Sequence, residues 1–291
     1  MSTPAADRKK VSIIDLQNKK AKGRPMTMMT AYDYPTAQIV DRAGIDMILV
    51  GDSLAMVVLG YDNTVSVTME EMLHHCRAVA RGAKHPLLVG DLPFMSYHVS
   101  ASQGVENAGR MLKEGNMDVV KLEGGKDRAE VVRAIVRAGI PVMGHIGLTP
   151  QTISMLGGFR VQGKSVDAAL SVIDDAVALE EAGCFAMVVE GVPDRVAGLI
   201  TERLSIPTIG IGAGKHCDGQ VLVLHDALGM FDRFTPKFVK KYASFFETGT
   251  KALQDYIADV ESGTFPGPEH VYAIPDDVYA SVVEELEKRA R

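Results

Sequence analysis

Short, continuously apolar runs alternate with amphipathic stretches along most of the chain. Eight runs read as strands: PMTMMTAYD (25–33), DMILVGDS (46–53), PLLVGDL (86–92), DVVKLEGG (118–125), PVMGHIGL (141–148), FAMVVEGV (185–192), PTIGIGAG (207–214) and GQVLVLHDAL (219–228). Their near-continuous apolar character is that of strands buried on both faces. Between most of them lies a segment of helical period. TMEEMLHHCRAVARGA opens on a Thr cap and an acidic first turn and ends in Arg-Gly. KSVDAALSVIDDAVALEEAG closes on a Gly C-cap, and DRAEVVRAIVRAG is a third such segment. Strand–helix units repeated in this way predict an α/β fold, a parallel (β/α)8 TIM barrel. The alternative, an open doubly wound sheet, lacks its Gly-rich nucleotide loop near the start of the chain. The interval between the last two runs is too short for a full helix.

The 291 residues are read as one barrel domain, 1–291, with a polar lead-in over about 1–10 and C-terminal helices over about 236–291. TPKFVKKYASFFETGTKALQDYIADVESG and PDDVYASVVEELEKRA are the helical stretches of that tail, joined by an irregular Pro/Gly-rich link. The tail offers surface for contacts between subunits.

Composition narrows the class. A net charge of −6 with no long run of one sign gives no electrostatic case for nucleic acid or an anionic membrane surface. No apolar run approaches the roughly 18–20 residues that span a bilayer, and the N-terminus lacks the apolar stretch of a signal peptide. Cys76, Cys184 and Cys217 lie far apart and outside any CxxC or zinc pattern, which fits a reduced, cytoplasmic setting. His74-His75-Cys76 does not share one helix face. GIGAGKHCDGQ places His216 after Lys215 and so fails the phosphate-loop pattern.

The chemistry lies at the strand ends. Asp52, Asp91, Glu123 and Glu190 each close an apolar run, where barrel enzymes place their active sites. Side chains alternate with period two, so Lys121 and Glu123 share a side, and His145 shares one with Met143. A consistent register therefore aims Asp52, Asp91, Lys121, Glu123, His145 and Glu190 at one mouth. Carboxylates crowded in this way take up protons or bind a cation. Oxygen-only donors point to Mg2+, with Mn2+ or Co2+ as stand-ins. Asp52 and Asp91 are the expected direct ligands, with Glu123 holding a metal-bound water, and Lys121 is the expected partner of a substrate carboxylate.

The ordered motifs LVGDS, VGDLPFMSY, VKLEGG, PVMGHIGLTPQ, MVVEGVP, IPTIGIGAG and DGQVLVLHDALGM resemble the ketopantoate hydroxymethyltransferase family from about residue 10 to residue 265. The resemblance implies a barrel of the phosphoenolpyruvate/isocitrate lyase superfamily, one Mg2+ per subunit and a homodecamer of two stacked pentamers. It implies transfer of a hydroxymethyl group from 5,10-methylenetetrahydrofolate to 3-methyl-2-oxobutanoate through a Mg-stabilised enolate. The product would be 2-dehydropantoate, on the route to pantothenate. Carried over by position, it makes Asp52, Asp91 and Glu123 the metal set and Asp52, Ser53, Asp91 and Lys121 substrate contacts. Glu190 matches the proton acceptor and is expected to be partly desolvated. His145 is expected to contact substrate oxygens. The loop DLPFMSYHVSASQG after the third strand is expected to help cover the pterin. A Mg2+-dependent 2-oxo acid lyase or phosphoenolpyruvate mutase of the same superfamily is the alternative.

Overall fold

A computed structural model describes residues 8–290; most of the lead-in, residues 1–7, lies outside them. Eight parallel strands close into a barrel in sequence order: β1 Met26–Thr30, β2 Met47–Val50, β3 Leu87–Asp91, β4 Val119–Glu123, β5 Val142–Gly147, β6 Ala186–Glu190, β7 Thr208–Ile211 and β8 Gly219–Leu222. Closure leaves no exposed sheet edge. The helices are α1 Ile13–Ala21, α2 Tyr34–Ala43, α3 Leu54–Val57, α4 Met69–Gly82, α5 Ala101–Lys113, α6 Ala129–Arg137, α7 Ile153–Leu156, α8 Val166–Glu181, α9 Asp194–Arg203, α10 Leu224–Ala227, α11 Phe245–Ser262 and α12 Asp276–Arg289. No helix is long and apolar enough to cross a membrane, among the described residues.

The strands alternate between two cores, as period two requires. Met47 and Leu49 of β2, Leu87 and Val89 of β3, and Val119 of β4 face the barrel interior. Ile48, Val50, Leu88, Val120 and Leu122 pack outward beneath the helices. Four methionines, Met26, Met28, Met47 and Met143, are in the interior cluster, where an unbranched thioether side chain adapts to the barrel taper. Leu16 of α1 joins that cluster and is fully buried. Helix α1 is started by a capping box between Ser12 and Asp15.

One strand boundary differs from the sequence reading. The apolar run 219–228 is strand only to Leu222; the Thr30 hydroxyl then accepts the Leu224 N–H at 2.9 Å, and the chain turns into α10. The chain also divides into two compact units at Ala243/Ser244. The first holds the barrel. The second consists mainly of α11 and α12, neither of which has a buried residue.

Candidate active site

The interior column of each strand continues into the barrel mouth, and there it changes from apolar to ionisable. On β3, Leu87 and Val89 lead to Asp91; on β4, Val119 leads to Lys121 and Glu123. On β5, Met143 leads to His145; on β6, Ala186 and Val188 lead to Glu190. Register then makes the pairs. Asp91 lies opposite Lys121, Glu123 opposite His145, and Gly147 opposite Glu190. Gly147 is needed there: its φ is +90°, and a Cβ would come within 2.3 Å of the Glu190 carbonyl.

Asp52 arrives differently. By parity it belongs to the outward set of β2, but the strand ends at Val50 and the chain turns into α3. Gly51 occupies the inner column. A Cβ on it would sit 3.0 Å from Ser53 Oγ and 3.4 Å from Asp91 Oδ2. The Asp52 N–H donates to Asp91 Oδ2 at 3.2 Å. All six charged residues named from sequence, and Ser53, line one cavity of about 360 Å³. Ser53 Oγ is 2.8 Å from the Tyr32 hydroxyl.

Within the cavity Lys121 Nζ lies 2.7 Å from Asp91 Oδ1, an ion-pair contact that is misaligned for a hydrogen bond. His145 Nδ1 is 3.4 Å from Glu123 Oε1 and 3.3 Å from Lys121 Nζ. His145 Nε2 is 3.2 Å from Glu190 Oε2, again off the hydrogen-bond line. Glu190 is the least enclosed of the four acids, with 15% of its side chain exposed.

Two residues passed over in the sequence hold this cluster in shape. Gln151 follows Pro150 in the 3-10 turn after β5 and is buried. Its Nε2 donates to Asp52 Oδ2 at 2.9 Å and to the Leu92 carbonyl at 3.0 Å, and its backbone N–H donates to Glu123 Oε2 at 2.9 Å. The Tyr97 hydroxyl donates to Gln151 Oε1 at 2.7 Å and accepts from the Glu123 N–H at 3.1 Å. The segment 92–104 thus braces the site through Tyr97. It does not line the cavity, contrary to its expected covering role. The outer walls come instead from the loops around Phe159–Val161 and Phe231–Phe238. These supply aromatic bulk that the β3 loop, turned inward by Tyr97, does not.

Electrostatics follow from burial. Desolvation, then repulsion from Asp91 and Glu123, raises the Asp52 carboxyl well above its usual range. Burial also raises Asp91, with the Lys121 ammonium offsetting part of the rise. Burial pushes Glu123 up, but hydrogen bonding and charge from His145, with Lys121 and the Gln151 N–H, bring it below the normal value. Burial opposes the charge on Lys121, yet three carboxylates hold its pKa above the ordinary value. Burial and Lys121 push His145 down, whereas Glu123 and Glu190 more than offset them, and its pKa is raised from 6.5 to about 9.

That shift predicts a pH dependence. A folded pKa above the unfolded one contributes stability that is complete below pH 6.5 and lost as pH rises through 9. The size is about 3 kcal/mol. Thermal melts in chelator from pH 6 to 10 should show this loss in wild type and not in a His145→Gln variant; parallel curves would contradict it.

The donor set suits a hard divalent cation. If all four acids are ionised, Lys121 and protonated His145 leave two negative charges in excess, the charge one such ion neutralises. Among the described residues no three His, Cys, Asp or Glu side chains enclose a metal by themselves. The offer is therefore one or two carboxylates completed by water, which Mg2+ accepts.

Similarity to known proteins agrees with this geometry. The sequence model of the ketopantoate hydroxymethyltransferase family matches residues 10–268. The 3-methyl-2-oxobutanoate hydroxymethyltransferase of Oleidesulfovibrio alaskensis is 57% identical over 277 residues, 95% of each chain. That of Enterococcus faecalis is 57% identical over 269 residues, 92% of this chain and 98% of its own. Among solved structures, phosphonopyruvate hydrolase with oxalate and Mg2+ superposes with a TM-score of 0.59 at 12% identity, covering 96% of this chain and 97% of its own. For 2,3-dimethylmalate lyase, a member of the PEP mutase/isocitrate lyase superfamily, the TM-score is 0.54 at 12% identity over 100% of both chains. These solved structures share the barrel fold, and by the extent of its sequence match this chain belongs to the ketopantoate hydroxymethyltransferase family.

Proposed function

We propose that this chain carries out the reaction named in its curated relatives. A hydroxymethyl group passes from 5,10-methylenetetrahydrofolate to 3-methyl-2-oxobutanoate, giving 2-dehydropantoate for pantothenate synthesis. The observation that carries the reading is the convergence of Asp52, Asp91, Lys121, Glu123, His145 and Glu190 on one cavity in a chain of this family.

Asp52 and Asp91 would hold Mg2+ directly, and Glu123 would hold it through a water. When bound, the ion supplies Lewis-acid stabilisation of the charge that develops on the substrate's 2-oxo oxygen. Lys121 binds the substrate carboxylate. Ser53, fixed by the Tyr32 hydroxyl, orients the keto acid. Glu190 takes the proton from C3. Raised to about 9, the His145 pKa keeps its proton on at neutral pH, so it donates to substrate oxygens instead of acting as the base. The donor's methylene carbon gains bonds to C3 and to a water oxygen as its two bonds to folate nitrogens break. One water supplies the hydroxyl, and its proton and the C3 proton end on tetrahydrofolate.

Incubation with both substrates and Mg2+ should produce 2-dehydropantoate, detected by mass spectrometry, and a chelator should stop it. Consumption of the keto acid without any folate would favour the lyase reading.

Gln151 gives a second test. Its amide N–H fixes Asp52, so Gln151→Leu should weaken Mn2+ binding by about 10–100-fold. Titration followed by electron paramagnetic resonance measures it. Unchanged affinity would mean that Asp52 is held without Gln151.

We also propose a cytoplasmic homodecamer in which the whole chain serves one barrel enzyme. The reading is supported by three free cysteines. It is supported too by the exposed Tyr256, Val260, Tyr279, Val283 and Leu286 on α11 and α12, apolar surface of the kind that marks interfaces. Sedimentation of the full chain tests the assembly.

A further inference from the structure

The cavity is larger than a small keto acid needs, and its two ends differ in chemistry. The inner end is the charged cluster. The outer end is rimmed by Phe159, Phe231, Phe234 and Phe238. Phe159 is 58% exposed and Phe234 67% exposed, an apolar rim of the kind that marks a ligand site.

Arg160 and Lys237 also line this cavity; two further polar side chains, Thr64 and Asp226, have no task in the keto-acid chemistry. Thr64 is 4% exposed, and its Oγ1 has no hydrogen-bond partner among the described residues. The others of that kind on this cavity are Asp91 Oδ1 and His145 Nε2, both beside the reacting substrate in the reading above. Asp226, on α10, lines the cavity as well. It is half-buried and makes no ion pair or side-chain hydrogen bond among the described residues. An acid there would repel an anionic keto acid. It suits a ligand that presents N–H donors. A carboxylate offers two acceptors in one plane, matched by a ring N–H beside an amino group. Flat aromatic walls suit a planar heterocycle.

We propose that the outer end of this cavity is the subsite for the pteridine ring of the one-carbon donor. Asp226 pairs with the 2-amino group and adjacent ring N–H, Thr64 Oγ1 bonds a ring heteroatom, and the rim phenylalanines pack on the ring faces. The proposal rests on the reading that the donor is a reduced folate.

The test is a comparison of KM values in wild type, Asp226→Asn and Thr64→Val, at saturating Mg2+. Asn keeps the size of Asp but turns one acceptor into a donor, against the ligand's own N–H. The KM for methylenetetrahydrofolate should rise about tenfold or more in Asp226→Asn and severalfold in Thr64→Val, while the keto-acid KM moves less than about twofold. A tetrahydrofolate analogue lacking the 2-amino group adds an arm that does not depend on a variant folding. It should bind wild type at least about tenfold more weakly than tetrahydrofolate and lose little more in Asp226→Asn, because both changes remove one interaction. A donor KM within about twofold of wild type in Asp226→Asn, or an equal rise for both substrates, overturns the subsite. Wild-type protein that binds no tetrahydrofolate yet exchanges the C3 proton overturns the donor reading itself, and the subsite with it.

Discussion

Glu190→Gln should lower kcat by about 10²–10⁴-fold while moving the keto-acid KM little. The amide has the shape of the carboxylate and cannot take the C3 proton. The effect is expected at Glu190 because the other acids have tasks that bind them. Asp91 faces Lys121 at 2.7 Å, Glu123 is held by the Gln151 N–H at 2.9 Å, and Asp52 is held by the Gln151 amide at 2.9 Å. His145 is within reach of substrate but keeps its proton up to about pH 9. Steady-state rates and Mn2+ affinity, measured together, check the assignment. A fall of only a few-fold would move the proton acceptor elsewhere. A parallel loss of metal would show that Glu190 supports the cation instead.

Lys121→Met should cost about 3–5 kcal/mol of stability in chelator, because it leaves buried carboxylates without their cation. At about 2–4 °C per kcal/mol for a domain of this size, the melting temperature should drop by about 6–20 °C. Lys121 and Asp91 are 3% and 1% exposed, so solvent does little to screen the change. The charge argument adds a second arm. A divalent cation neutralises the same acids, so Mg2+ should raise the melting temperature of the variant more than that of wild type. Equal gains would mean that the cation binds away from this cluster. Substrate affinity should fall as well if Lys121 binds the substrate carboxylate as proposed.

The barrel was legible because a strand buried on both faces writes itself as an apolar run. The acids were legible because each interrupts such a run at its C-terminal end. Period-two reasoning aligns Asp91, Lys121, Glu123, His145 and Glu190, and the observed register pairs them across neighbouring strands. Asp52 shows where the rule stops. It is out of phase and reaches the site through the turn at Gly51, which periodicity does not describe. Gln151 and Tyr97 lay in loops with no period to mark them. The Pro150 that opens the turn was the available signal. Helix α1 went unread although Ser12 and Asp15 spell its capping box. The length of the β3 loop suggests a cover, whereas Tyr97 ties the loop to Glu123 and Gln151. The outer walls depend on residues far apart in sequence, Phe159 and Phe231 among them, and only the closed barrel brings such loops together.

The most direct measurement is exchange of the C3 proton of 3-methyl-2-oxobutanoate in deuterated water, followed by NMR. Wild type and Glu190→Gln would each be run with Mg2+ and with chelator, before folate is added. Exchange that requires both the metal and Glu190 is the predicted result. Exchange that continues in chelator, or that wild type never shows with or without tetrahydrofolate, would contradict a metal-assisted proton abstraction in this cavity.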